Sequence, residues 1–211
     1  MNSLSSDPGF DLVARIAQLF VYPIKSCAGI ALGEALLTET GLDLDRAWMV
    51  VDEQGVFVTQ RELPRMALVQ PTLRTDDMVL RAPGMLALHI ALDKAEHPAT
   101  VRVWKDTVQA WDMGNLAAQW FSDFLGRRLR LVRFDPEQQR LSNPRWTGGI
   151  QALHQFSDGF VLLVTSEASL DDLNARLAAT GHGMVGIERF RPNLVLTGVE
   201  PHDEDRVDTL H

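Results

Sequence analysis

The sequence contains a single cysteine, Cys27. One thiol excludes any disulfide within the chain, and a disulfide-free composition fits a reducing compartment. The cytoplasm is the location this reading implies. Long apolar runs are also missing: none approaches the roughly 18–20 residues that a membrane span requires. The opening segment, MNSLSSDPGFDLVAR, lacks the basic n-region and continuous apolar stretch of a signal peptide. Residues 1–13 are expected to form a disordered lead-in. Basic residues are outnumbered 20 to 28, for a net charge of -8. That excludes the broad basic footprint with which a nucleic-acid binder neutralises phosphates. The one concentrated basic stretch, Arg127, Arg128, Arg130 and Arg133, alternates with apolar residues as a strand with one solvated face does. There is no P-loop, no Gly-rich dinucleotide fingerprint and no G-x-S-x-G elbow. The six histidines (His89, His97, His154, His182, His202 and His211) show no metal-ligand spacing.

What is present is an ordinary globular composition, 45% hydrophobic and 23% charged, in a chain long enough to bury a sizeable core. The first half reads as β-structure. Segment 15–24 has strand composition and ends at Pro23. Segment 46–60 is a hairpin, its apolar arms flanking the turn residues Asp52 to Gly55. Further strands are expected at 66–73, 78–82, 86–92, 100–104 and 107–112. In 86–92, Leu86, Leu88, Ile90 and Leu92 alternate with Ala87, His89 and Ala91. Many short strands separated by turns suggest a barrel or a curled sheet.

The period then changes. Over 114–126, Leu116, Ala117, Trp120, Phe121, Phe124 and Leu125 recur at helical spacing, and Gly126 supplies a stop. Segment 129–134 returns to strand. From 135 to 159 the chain is irregular, with Pro136, Pro144 and the Gly148–Gly149 pair, and a loop of that length is functional or disordered. A strand-to-helix unit follows, strand at 160–165 and helix at 166–181, with Leu170, Leu173 and Leu177 on one face. A last strand at 193–198 precedes an acidic tail.

Three separated segments carry a family likeness. VYPIKSCAG (21–29), GLDLDRAWMVVD (41–52) and TQRELPRMALVQP (59–71) together resemble the N-terminal β-barrel domain that precedes the MOSC domain in the mitochondrial amidoxime reducing components and their bacterial relatives. DGFVLLVTSEASLDDLN (158–174) and RFRPNLVLTG (189–198), followed by Glu204 and Asp205, resemble the front half of the MOSC domain itself. The resemblance implies a mixed α/β, β-rich fold. A β-barrel-like domain would occupy 14–135 and an incomplete MOSC α/β domain 136–211. It also implies a molybdopterin-type molybdenum cofactor lying between the two domains, with molybdenum-ion and pyridoxal phosphate binding among the family's ligand classes. The activity implied is reduction of N-hydroxylated or similar substrates, with electrons from a separate redox protein or a fused iron–sulfur domain. In the family the metal is held by a cysteine well downstream of the RPN segment. This chain reaches His211 without that motif, and Cys27 is not its equivalent. A cofactor carrier and a catalytically silent fragment are therefore alternatives. An exposed sheet edge would then favour self-association.

The cofactor-binding residues implied are Lys25, Ser26, Arg46, Thr165, Ser166, Arg191 and Asn193; no catalytic residue and no metal ligand is assigned. Lys25 and Ser26 follow Pro23, where a cation and a hydroxyl can donate to phosphate or carbonyl oxygens; a solvated strand end explains them as well. Arg46 opens the hairpin and has the planar fork suited to an anion, though a rim arginine would look the same. Arg61 and Arg65 are expected to be mainly structural. Thr165 and Ser166 open a helix, where Ser166 is a good N-cap and Ser169 with Asp172 imitates a capping box. The free N–H groups of that turn also suit an anion. Pro192 is expected to hold Arg191 extended, with the amide of Asn193 close behind. Asp203, Glu204 and Asp205 read as a solvated acidic turn.

Overall fold

The computed structural model describes residues 12–94 and 96–209. The expected lead-in over 1–13 therefore lies outside the described residues except for Leu12 and Val13, and His211 lies outside them too. In chain order the strands are β1 (Arg15–Val21), β2 (Ile30–Leu32), β3 (Leu37–Thr38), β4 (Gly41–Leu42), β5 (Trp48–Asp52), β6 (Gln70–Leu73), β7 (Asp77–Arg81), β8 (Leu88–Ala91), β9 (His97–Val103) and β10 (Asp106–Asp112). Helix α1 (Gly114–Leu125), β11 (Leu129–Phe134), α2 (Pro144–Thr147), β12 (Val164–Ser166), α3 (Glu167–Ala179) and β13 (Leu194–Thr197) follow. These elements form two compact units that interleave along the chain. Of the described residues, the larger comprises those in Val21–Ile30 and Leu36–Val161; the smaller comprises those up to Phe20, Ala31–Ala35 and those from Leu162 on. A single boundary near 135 does not describe this division, because β1 pairs antiparallel with β13, Arg15 opposite Thr197.

In the larger unit, β5, β11, β10 and β9 form an antiparallel sheet, and β6, β7 and β8 form a second. β5, an edge strand of the first sheet, runs between two apolar clusters. Trp48 and Val50 face one apolar cluster, and Met49 and Val51 face another. All four are at most 2% exposed, which is why this strand reads as a continuous apolar run rather than an alternation. α1 packs on β11, and its Trp120, Phe121 and Phe124 share one buried apolar cluster with Leu129 and Leu131 of β11 and with Met78 and Leu80 of β7. It stops at Gly126, whose φ of 70° is the left-handed state that a side chain resists. Leu116, expected on the apolar face, is instead 72% exposed.

The expected barrel does not close by continuous pairing. The larger sheet ends in β5 and β9, and among the described residues only isolated bridges, Val51 to Phe57 and Val56 to Arg102, link those edges. The second hairpin arm is responsible. It runs a few residues past the turn, in which Asp52 Oδ1 accepts from the N–H of Gln54 and Val56, before the chain turns again at Thr59. The strand expected from 66 starts at Gln70, because Pro64 opens a 3-10 turn over Pro64–Leu68.

The smaller unit is a sheet in the order β12, β13, β1, β2, with β12 and β13 parallel and α3 packed on both. The strand expected at 160–165 is reduced to β12. Phe160 and Leu163 are 53% and 45% exposed, outside the sheet. Among the described residues, no helix is long and apolar enough to cross a membrane.

Candidate functional site

In the larger unit the VYPIKS segment makes a tight turn, with Cys27 N–H donating to Ile24 O at 3.0 Å. Ser26, the third residue of that turn, has a φ of 68°, a conformation such turns usually reserve for glycine or asparagine. Its cost is tolerated where the surroundings enforce it, and such positions cluster at functional sites. The turn presents Lys25, only 7% exposed. The Lys25 ammonium donates to Phe156 O at 2.7 Å and to Asp158 Oδ1 at 2.6 Å. Burial lowers its pKa, Asp158 pulls the other way, and the nearby Arg140 and Arg46 lower it further. Asp158 mirrors this: burial raises its pKa, but Lys25, a hydrogen bond from Trp104 and the charge of Arg61 bring it below the usual carboxylate range.

Arg46 stands beside this turn. Its backbone N–H donates to Tyr22 O at 2.8 Å, and its guanidinium lies 4.5 Å from the Tyr22 ring centre. It pairs with the buried Asp45 at 2.5 Å, whose other carboxylate oxygen accepts from Tyr22 N–H. Arg46 also has positive φ, 50°. Gly29 makes the arrangement possible: a Cβ there would come within 2.5 Å of the Tyr22 ring.

The segment 135–159, irregular by sequence, supplies the rest of the cluster. Arg140 is 8% exposed. Its Nε donates to Asp106 at 2.9 Å, and its Nη1 donates to the carbonyls of Gln155 and Ser157 at 2.8 and 2.7 Å. His154 is 2% exposed, with Nδ1 2.8 Å from Ser157 Oγ. Burial and the neighbouring Arg140 push its pKa down to about 4, so the ring is neutral at pH 7. Three consecutive carbonyls are thus held by two cations, 155 and 157 by Arg140 and 156 by Lys25. Neither Arg140 nor His154 was singled out from the sequence. The one available signal was an Arg and a His in a segment too long to be an idle loop.

In the smaller unit, Ser166 caps α3. Its Oγ accepts from Ser169 N–H at 3.0 Å, and its own N–H donates to Glu204 Oε1 at 2.9 Å. Burial raises the Glu204 pKa, but hydrogen bonds from Ser169 and Ser166 outweigh it and leave the carboxyl more acidic than usual. The helix N-terminus that suited a ligand anion therefore already holds the chain's own carboxylate. Glu204 is a corrected reading: it belongs to a structural cap, not simply to a solvated turn. Thr165 sits half-buried next to it on β12. Asn193 is 1% exposed; its Oδ1 accepts from Leu163 N–H and its Nδ2 donates to Phe20 O, each at 3.2 Å. That amide stitches β1 to the approach of β12.

Arg191 departs from expectation. Its φ is 60°, not extended. Proline disfavours the right-handed helical region for its predecessor, and the chain leaving the 3-10 turn Ile187–Arg189 meets that restriction through the left-handed state. In the basic stretch at 127–133, Arg127 pairs with Asp52, Arg128 with Glu53 and Arg130 with Asp112, while the half-buried Arg133 donates to Leu92 O. Among the described residues, no group of three or more His, Cys, Asp or Glu could hold a metal ion. Cys27 is fully buried in the apolar core.

The chain thus combines a β-rich unit that holds the buried cations Lys25 and Arg140 with a smaller unit containing a β-α-β motif. The family models identify the kind of protein. Residues 13–128 match the MOSC N-terminal beta barrel domain and residues 151–210 match the MOSC domain; the chain belongs to the MOSC family. It is 37% identical over 207 residues to mitochondrial amidoxime reducing component 2 of Bos taurus, a match covering 94% of this chain and 60% of the relative. It is 38% identical over 205 residues to mitochondrial amidoxime-reducing component 1 of Mus musculus, covering 92% and 58%. A human molybdenum cofactor sulfurase matches at 28% identity over 92% of this chain and 24% of its own length. The chain spans about three fifths of the length of the amidoxime reducing components it matches. The cytoplasmic location inferred from the single cysteine is corrected by these matches, since those relatives carry the name mitochondrial. A lone buried thiol does not distinguish one reducing compartment from another.

Proposed function

We propose that the chain binds a molybdopterin-type cofactor. In the larger unit Lys25, Ser26 and Arg46 are the candidate donors to its phosphate and carbonyl oxygens; in the smaller unit, taken by itself, the candidates are Arg191, Thr165, Ser166 and Asn193. The observation that carries this reading is the buried Lys25 ammonium on its strained turn, with Arg46 and Arg140 close enough to lower its pKa. Cations brought together against their mutual repulsion are the donor set an anionic group requires. Within the smaller unit Ser166 and Asn193 also serve the backbone, and Arg191 contributes the charged fork suited to an anion.

When bound, the cofactor supplies two-electron redox chemistry at its metal, and the protein contributes grip, orientation and electrostatics. The buried cations hold negative charge in a poorly solvated setting where each hydrogen bond counts for more than in water. Cys27, packed in the core, does not fit the part of metal ligand. The substrate class that the family suggests is N-hydroxylated compounds, with a redox protein or a fused iron–sulfur domain as electron donor. Pyridoxal phosphate shares the phosphate ester that Lys25 and Arg46 would hold. Pairing of another chain along β12 or β2, the outer strands of the smaller sheet, is the self-association this reading includes.

Lys25→Ala and Arg191→Ala should each lower the pterin that co-purifies with the protein by about tenfold or more, the factor expected when a charge-assisted contact is lost. Oxidative release and fluorescence of the pterin measure it, with circular dichroism to show that the variants fold. Folded variants that keep the wild-type pterin content would remove the reading.

A further inference from the structure

Lys25 is not idle in this structure. Asp158 accepts its proton donor at 2.6 Å, and the same Oδ1 accepts the indole N–H of Trp104 at 2.7 Å. The three groups are held differently. Lys25 is 9% exposed at its side chain, whereas Asp158 is 62% exposed. The Lys25 stem is fixed from beneath: its backbone N–H donates to Trp48 O, and its ammonium keeps a second bond to Phe156 O, a carbonyl flanked by the two that Arg140 holds. The cation is thus buried and keeps a backbone carbonyl partner of its own, whereas its carboxylate partner lies open to water. An exposed carboxylate that leaves a buried ammonium is rehydrated at little cost, while the ammonium needs a replacement anion.

We propose that Asp158 is the resident counter-ion of Lys25, displaced when a phosphate-type oxyanion binds, and that Trp104 reports the exchange by losing its hydrogen bond. This rests on the reading of Lys25 as an anion contact. Asp158 is then a positioning residue. It holds the ammonium in place before the ligand arrives and sets the affinity for the ligand by competing with it. Trp104 is suited to report because it is 47% exposed, stands edge-on to Phe57 at 4.9 Å, and has Arg61 at 5.9 Å from its ring centre. Release of its N–H to water changes its surroundings at once.

The test titrates the full chain with inorganic phosphate and, separately, with phenyl phosphate, following tryptophan emission and, in parallel, calorimetry. Asp158→Asn, which keeps the shape and removes the charge, should bind about tenfold tighter than the wild type, and Lys25→Met should lose binding. The emission change should vanish in Trp104→Phe while the heat of binding remains. Tighter binding of phenyl phosphate than of phosphate would assign the place to a phosphate ester, and equal binding to free phosphate. If Lys25→Met binds like the wild type, or neither the wild type nor Asp158→Asn binds, the reading of Lys25 itself is overturned. If Lys25→Met loses binding but Asp158→Asn gains none, or Trp104 is silent, the exchange alone is overturned.

Discussion

An Arg140→Ala variant should unfold at a temperature roughly 6–12 °C below the wild type in the transition of the larger unit, corresponding to a loss of about 3 kcal/mol. The side chain is 7% exposed and forks onto Asp106 with Nε and Nη2, each at 2.9 Å, while Nη1 reaches two carbonyls. Truncation leaves those carbonyls without their donor in a region where water enters poorly, and a buried acceptor without a partner costs about 1–3 kcal/mol. Asp106 keeps access to solvent at 36% side-chain exposure, so its share of the loss is the smaller one. Arg140→Lys should recover only part, because an ammonium restores the charge but not the fork. Differential scanning calorimetry checks both, and an unchanged transition in Arg140→Ala would show that the segment 135–159 is held by something else.

The second large effect is on pH. The folded-state pKa of His154 is about 4, below the ordinary value of about 6.5 in an unfolded chain. On acidification the unfolded chain takes up the proton first, so unfolding binds protons and stability falls as pH falls. The contribution is intact above about pH 6.5 and is lost progressively down to about pH 4, where roughly 3 kcal/mol has gone. Below that the folded state also protonates and the loss levels off. Arg140 and Lys25 lie close enough to lower this pKa, and Asp106 pulls it the other way. Urea midpoints measured from pH 7.5 to 4.5 should show the slope, and His154→Gln should flatten it. An equally steep slope in that variant would assign the acid sensitivity to carboxylates.

These two residues mark where sequence reasoning ran out. Local features were legible because their causes are local. Helical spacing ending at Gly126 gave α1, Asp52 with Gly55 gave the hairpin turn, and Ser166 gave the cap of α3, each recovered with the expected hydrogen bond. Lys25, Ser26 and Arg46 were legible through the family likeness, and the fold brings them into neighbouring turns. Arg140, His154 and Ser157 were not, since their segment has no period to read. Its order comes from side chains reaching carbonyls across the fold. Backbone conformation was equally hidden: Ser26, Arg46 and Arg191 all have positive φ, which residue type argues against and only tertiary packing enforces. The pairing of β1 with β13 is the same kind of long-range fact.

A chain that holds a pterin cofactor with the cations its fold collects should purify with that cofactor. The direct measurement is the pterin and molybdenum content of the wild-type protein purified from a molybdenum-competent host, by oxidative fluorescence and elemental analysis. The expected result is pterin stoichiometric with protein, accompanied by molybdenum. Folded protein carrying neither, from a host whose other molybdenum enzymes are loaded, would contradict it.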